Sequence, residues 1–192
     1  MTPRLCLAQN PDADALLSKD PLALLVGMLL DQQVPMEWAF ASPQQLVERL
    51  GRDLDASELA DHDPDKLAEL FATPPALHRY PAAMAGRVQA LGRHLVETYN
   101  GHAAQVWSGA ATGDELRRRL EGLPGFGPAK AQIFLALLGK QLRVRPPGWR
   151  EAAGSYGADG VYRSVADVTD ADSLSRVRAY KQQMKAAKRT AT

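Results

Sequence analysis

Leu123-Pro124-Gly125-Phe126-Gly127-Pro128-Ala129-Lys130-Ala131 is the stretch on which the reading of this chain turns. It carries two glycines one residue apart, with a proline directly after the second. Glycine admits backbone angles closed to other residues, and proline suits the first position of a helix, so the segment predicts a hairpin turn leading into a helix at Pro128. The donors in the first turn of a helix have no partner inside it, and the positive end of the helix dipole lies there. Such a turn offers N–H groups to an anion, and glycine lets a phosphate oxygen approach without meeting a Cβ. Contacts of that kind hold a nucleic-acid backbone whatever its base sequence. The plain alternative is a structural corner between two helices.

Outward from the hairpin, the chain reads as short helices with chemically marked ends. Upstream, Thr112 with Glu115 caps a helix carrying Leu116 and Leu120, which Gly122 stops; downstream, an apolar helix runs from Pro128 to about Leu138. Asp20 before Pro21 opens the run Leu22 to Leu30, apolar nearly all round and so expected to be central and buried. Ser42-Pro43-Gln44-Gln45 predicts the start of another helix, with Leu46, Val47 and Leu50 as its stripe and Gly51 as its stop. Asp55 with Glu58, and Asp63 with Pro64, open two more. From about Pro81 a long helix places Met84, Val88, Leu91, Leu95 and Tyr99 at steps of three or four, ending at Asn100-Gly101.

No segment alternates long enough to demand a sheet, so the predicted fold is all-α. Residues 140–168 break the pattern: Arg145-Pro146-Pro147-Gly148 and then Gly154, Gly157 and Gly160 predict a linker, a lid or a site wall. A last helix is expected from about Ala171.

With 192 residues, 45% of them hydrophobic, the chain can build one globular unit spanning 1–192, its core divided between two lobes. There is no apolar run long enough to span a membrane, and Met1-Thr2-Pro3-Arg4-Leu5-Cys6 lacks the order of a signal peptide, so a cytoplasmic location is expected; a monomer is expected as well. The single cysteine, Cys6, excludes an internal disulfide, an iron–sulfur cluster and a cysteine-based zinc site. His62, His78, His94 and His102 show no paired ligand spacing, and no catalytic metal is expected.

The net charge of +1 conceals a division. Residues 1–75 hold five Lys/Arg against thirteen Asp/Glu, and residues 76–192 hold eighteen against nine. A polyanion would be met by the later part, unless the two parts simply complement each other. The segment from Arg176 is the most basic, with Arg178, Lys181, Lys185, Lys188 and Arg189 and no acidic residue. It offers either phosphate contacts or a solvated helix and tail.

LPGFGPAKA resembles the hairpin of the helix-hairpin-helix DNA glycosylase superfamily (HhH-GPD), the group that contains endonuclease III, adenine glycosylases and alkylbase glycosylases. The resemblance covers about residues 20–140: Leu29-Leu30-Asp31-Gln32-Gln33 is similar to the family's early buried helix ending in a DNA-facing glutamine, and Tyr99-Asn100-Gly101 ends a long helix at the expected distance before the hairpin. It implies a two-lobed all-helical fold, a cleft for a flipped nucleotide, and double-stranded, damaged DNA as partner. It also implies DNA contacts at Gly125, Phe126, Gly127, Ala129 and Lys130, a gap-filling role or a helix-end cap for Gln33, and a wedge or a solvated side chain for Arg79. Such a hairpin can hold a monovalent cation through its carbonyls; no other cofactor is implied.

The family's catalytic aspartate finds no clear counterpart. Arg145 falls at the matching position, and a guanidinium cannot act as a base. The lysine nucleophile of bifunctional members corresponds to Ala129, with Lys130 about 100° further round the helix. Substitute carboxylates are Asp31, Asp159 and Asp167, each also explicable as a helix-end or loop residue. Trp149 is the tryptophan best placed to line a pocket. Two functions follow: a monofunctional glycosylase, hydrolysing an N-glycosidic bond in base-excision repair, or a non-catalytic module that senses damaged or distorted DNA. A structural protein whose hairpin is only a corner is a third.

Overall fold

The computed structural model describes residues 3–191. Among the described residues ten helices follow one another: α1 (Pro11–Lys19), α2 (Pro21–Leu30), α3 (Met36–Leu50), α4 (Ala56–Asp61), α5 (Pro64–Ala72), α6 (Pro81–Tyr99), α7 (Gly113–Glu121), α8 (Pro128–Gln141), α9 (Trp149–Ala152) and α10 (Ala171–Thr190). Short 3-10 turns cover Ala103–Val106, Gly154–Gly157 and Val165–Asp167. Among the described residues there is no strand, and no helix is long and apolar enough to cross a membrane.

Local chemistry starts most of these helices. The Asp20 carboxylate accepts from the Leu22 and Ala23 N–H groups, Asp63 accepts from Asp65 and Lys66, and Asn10 does the same for Asp12 and Ala13. Each cap satisfies donors that the helix itself cannot, and each is followed by proline, whose missing N–H is no loss there. Asn100 and Gly101, both at positive φ, end α6.

One predicted start is corrected. Ser42-Pro43 lies inside α3, which begins at Met36 and runs to a left-handed Gly51. Met36, Ala39, Phe40, Pro43 and Leu46 form one buried face that continues through the proline. Burying that face offsets the backbone bond that proline forgoes, a cost of about 3 kcal/mol. Ser42 is buried too, its hydroxyl 2.8 Å from the Trp38 carbonyl and 2.6 Å from that of Leu77.

Helix α2 is the axis of the molecule, buried from Leu22 to Leu30. On one side α3 packs on it, while α6 lies along α4 and α5. On the other, α8 packs against α7, α9 and the two later 3-10 turns. Residues 140–168 are thus a folded wall containing α9 and both of those turns. Trp149 is a core residue there: its ring covers Gly139, where a Cβ would collide with it, and it lies beneath the Arg150 guanidinium at 4.6 Å. Helix α10 buries Leu174 and Val177 with its first turns and is exposed all round from Lys181 onward.

Candidate nucleic-acid interface and cleft

The hairpin connects α7 to α8 through Gly122–Gly127. Phe126 N–H donates to the Leu123 carbonyl at 3.0 Å, and Ala131 N–H to that of Gly127 at 3.0 Å. Among the described residues, the backbone N–H groups of Gly125, Gly127, Ala129 and Lys130 have no partner. The two glycines are there for different reasons. Gly125 has φ +80°, and a Cβ on it would run into Leu29 of α2, so the fold itself demands glycine. Gly127 has φ −78°, open to any residue, and nothing lies within 4 Å of where its Cβ would be. Nothing inside the chain asks for glycine at 127. What the position has is an unpaired donor on an exposed residue at the N-terminus of a fourteen-residue helix.

Two side chains of the segment turn inward. Phe126 is buried and meets Phe134 edge to face at 6.0 Å. Lys130 is half-buried, and its Nζ donates to the carbonyls of Met28 (2.7 Å), Leu29 (3.1 Å) and Asp31 (3.3 Å). An ammonium is well placed on the last carbonyls, at the negative end of α2. Burial nevertheless lowers its pKa to about 8, against the attraction of Asp31, and Arg87 adds to the lowering. The DNA contacts this segment can offer are therefore backbone donors, with Ala129 exposed beside them.

The end of α2 is pinned in a way the sequence did not disclose. Gln32 donates its amide to the Leu29 carbonyl at 2.8 Å and accepts from Arg87 at 2.7 Å. His78 is buried; its Nε2 lies 2.9 Å from the Gln32 carbonyl and its Nδ1 3.0 Å from the Tyr80 N–H. A carbonyl and an N–H together require the neutral Nε2–H tautomer, and burial lowers the pKa of His78 accordingly. These contacts leave Gln33 exposed at φ +58° and the loop bearing Arg79 and Tyr80 exposed beside it. The Arg79 guanidinium rides over the Tyr80 ring at 5.5 Å. No sequence signal marked Gln32, His78 or Arg87, because the contacts that join them, His78 to Gln32 and Arg87 to Gln32, span 46 and 55 residues.

Between the end of α2, the start of α3 and α10 lies a cleft of about 570 Å³. Asp31, Val34 and Met36 line one side, and Val177, Arg178 and Lys181 the other. Arg178 pairs with Glu37 across it, joining α10 to α3. Burial holds the Asp31 carboxyl above the usual carboxylate range, opposed by the positive charges of Lys181 and Lys130.

The other two candidate carboxylates lie elsewhere. Asp167 has a buried side chain that pairs with Lys140 at 2.6 Å and accepts from the Arg163 and Ser164 N–H groups. Asp159 is exposed and pairs with Arg150 at 2.9 Å. Arg145 folds back along the wall, donating to the Gly139 carbonyl at 2.8 Å. Among the described residues no group of three or more His, Cys, Asp and Glu is placed to hold a metal ion.

With the geometry in place, the comparisons add one match: the model of a family described as HhH-GPD superfamily base excision DNA repair protein fits residues 26–192. Comparisons with curated proteins and with solved structures each found no match.

Proposed function

Since the chain belongs to the HhH-GPD superfamily of base excision DNA repair proteins, we propose that it is a monofunctional DNA glycosylase that hydrolyses the N-glycosidic bond of a damaged nucleotide. The observation that carries this reading is the position of Asp31. Of the three candidate carboxylates it alone lines the cleft between α2, α3 and α10, at the end of the helix that packs against the hairpin. The backbone donors of Gly125, Gly127 and Ala129 hold a phosphate of double-stranded DNA, the loop at Arg79 and Tyr80 together with Gln33 meets the gap left by the extruded nucleotide, and the base enters the cleft.

As the C1′–N bond breaks, its electron pair leaves with the base and positive charge gathers on the sugar. The Asp31 carboxylate stabilises that charge, then takes a proton from the water that adds to C1′. Lys130 is no nucleophile in this scheme, since its amine is occupied by three carbonyls. The protein works as a monomer in the cytoplasm.

A second reading, a non-catalytic sensor of damaged DNA, is favoured by Arg145. It occupies the family's aspartate position in sequence and is bound to Gly139. The test separates the two: excess protein is incubated with duplexes containing uracil, hypoxanthine, alkylated purines, 8-oxoguanine or an abasic site, and base release is scored apart from strand cleavage. Release from one of them without strand cleavage, abolished in Asp31→Asn, supports the glycosylase. Tight binding with every substrate intact supports the sensor.

A further inference from the structure

Helix α10 has a second face that the proposed reaction does not use. Beside the cleft, between α8 and α10, runs a groove of about 290 Å³. That is close to the small end of ligand pockets, about 300–1,000 Å³. Its cations are Arg163, Lys181, Lys185 and Lys188, and no acidic residue lines it. Its other walls are apolar or aromatic: Tyr156, Tyr180, Met184 and Ile133. Met184 is 45% exposed, one of three large hydrophobic side chains so open among the described residues; a second, Tyr162, lies next to Arg163 in the chain with Arg176 over its ring at 4.9 Å. Lys181 and Lys185 line both groove and cleft, so the positive strip continues from one to the other. Ile133 lies on the same helix as the hairpin donors, less than two turns from Pro128.

This mixture distinguishes one form of nucleic acid from another. A duplex shows its phosphates and hides its base faces, so it can use the lysines but gives Tyr180 and Met184 nothing to cover. An unpaired strand supplies both, phosphates for the cations and base faces for the aromatic rings, and stacking of that type tolerates any base. We propose that the groove between α8 and α10 binds single-stranded DNA contiguous with the duplex held at the hairpin, giving the protein a preference for DNA with an unpaired stretch beside its binding site. The inference rests on the DNA-binding reading above, and not on the glycosylase chemistry.

The test measures fluorescence anisotropy of the full chain with three labelled DNAs of one sequence: a continuous duplex, the same duplex with a short single-stranded gap, and the single strand alone. The wild type is expected to bind the gapped duplex about tenfold more tightly than the continuous one. Lys188→Gln, at an exposed position that lines the groove and not the cleft, and Tyr180→Leu, which keeps the apolar packing, are expected to reduce that preference to about twofold or less while leaving continuous-duplex affinity within about twofold. A thermal melt of each variant establishes that it folds. Equal affinity of the wild type for gapped and continuous duplex overturns the groove assignment alone, as does a preference that survives both substitutions. Failure of the wild type to bind any of the three overturns the DNA-binding reading and the groove with it.

Discussion

The Lys130 ammonium lies 2.7 Å from the Met28 carbonyl oxygen, so the first turn of α8 closes the last turn of α2. The contact ties the hairpin's helix to the helix that ends at Asp31. It is made at a cost, because the charged amine is taken from water and its pKa falls from 10.5 to about 8. Between those values the unfolded chain binds more protons at this position than the folded one. The contribution of Lys130 to stability therefore rises as pH increases through that window. Denaturant unfolding of the wild type and Lys130→Met at pH 7.5 and pH 10 should show the difference in their stabilities moving in favour of the wild type at the higher pH. A difference that stays constant would mean that the amine is not desolvated.

Gly125 and Gly127 should separate folding from binding. Gly125→Ala places a side chain at φ +80° and into Leu29, and is expected to destabilise the protein by about 1–3 kcal/mol. Gly127→Val meets open space at an ordinary φ, so its melting temperature should stay within about 2 °C of wild type. Its branched side chain blocks approach to the unpaired N–H groups, and affinity for duplex DNA should fall at least tenfold. Equal binding by wild type and a folded Gly127→Val would sink the hairpin's role.

How much of this was legible depended on distance along the chain. Asp20-Pro21 and Asp63-Pro64 announced their helices because a capping carboxylate and its donors lie within three residues. Ser42-Pro43 has the same local form and misled for a physical reason: Met36 and Phe40, upstream of it, belong to the same buried face, and burial of that face carries α3 through the proline. The hairpin could be read because its chemistry is local. The direction of Lys130 could not, since Met28 lies about a hundred residues away. Nor could the sequence rank Asp31, Asp159 and Asp167, which differ in surroundings rather than in type. Trp149 was expected to line a pocket and is instead committed to Gly139, a contact ten residues back across an irregular segment.

Those three carboxylates give a graded test. Asp31→Asn should lower the rate of base release by about 100-fold or more, the range of a lost acid–base group, with DNA affinity within a few-fold of wild type. Since burial raises the carboxyl's pKa, the acid limb of the wild-type rate should lie above 3.8. Asp159→Asn, at an exposed ion pair, should change neither rate nor stability appreciably. Asp167→Asn should cost about 3 kcal/mol in stability by leaving Lys140 without its buried partner. A rate lost in Asp159→Asn but kept in Asp31→Asn would move the chemistry out of the cleft.

His78 makes the loop bearing Arg79 and Tyr80 sensitive to acid. Its folded-state pKa lies below 6.5, chiefly through burial, and its neutral ring accepts from Tyr80 N–H while donating to the Gln32 carbonyl. A depressed basic pKa means that the unfolded chain takes up the proton first as pH falls. The stability linked to His78 is therefore full above 6.5 and is lost as pH drops through the folded value. Protonation also turns Nδ1 into a donor facing another donor, Tyr80 N–H, which frees the loop from the end of α2. His78→Gln removes the titrating group. Wild type should lose more stability between pH 7.5 and pH 5 than His78→Gln does, and its affinity for duplex DNA containing an abasic site should fall more over the same interval, measured at constant ionic strength. Parallel pH profiles for the two proteins, in both stability and binding, would show that the loop is held by something other than the neutral imidazole.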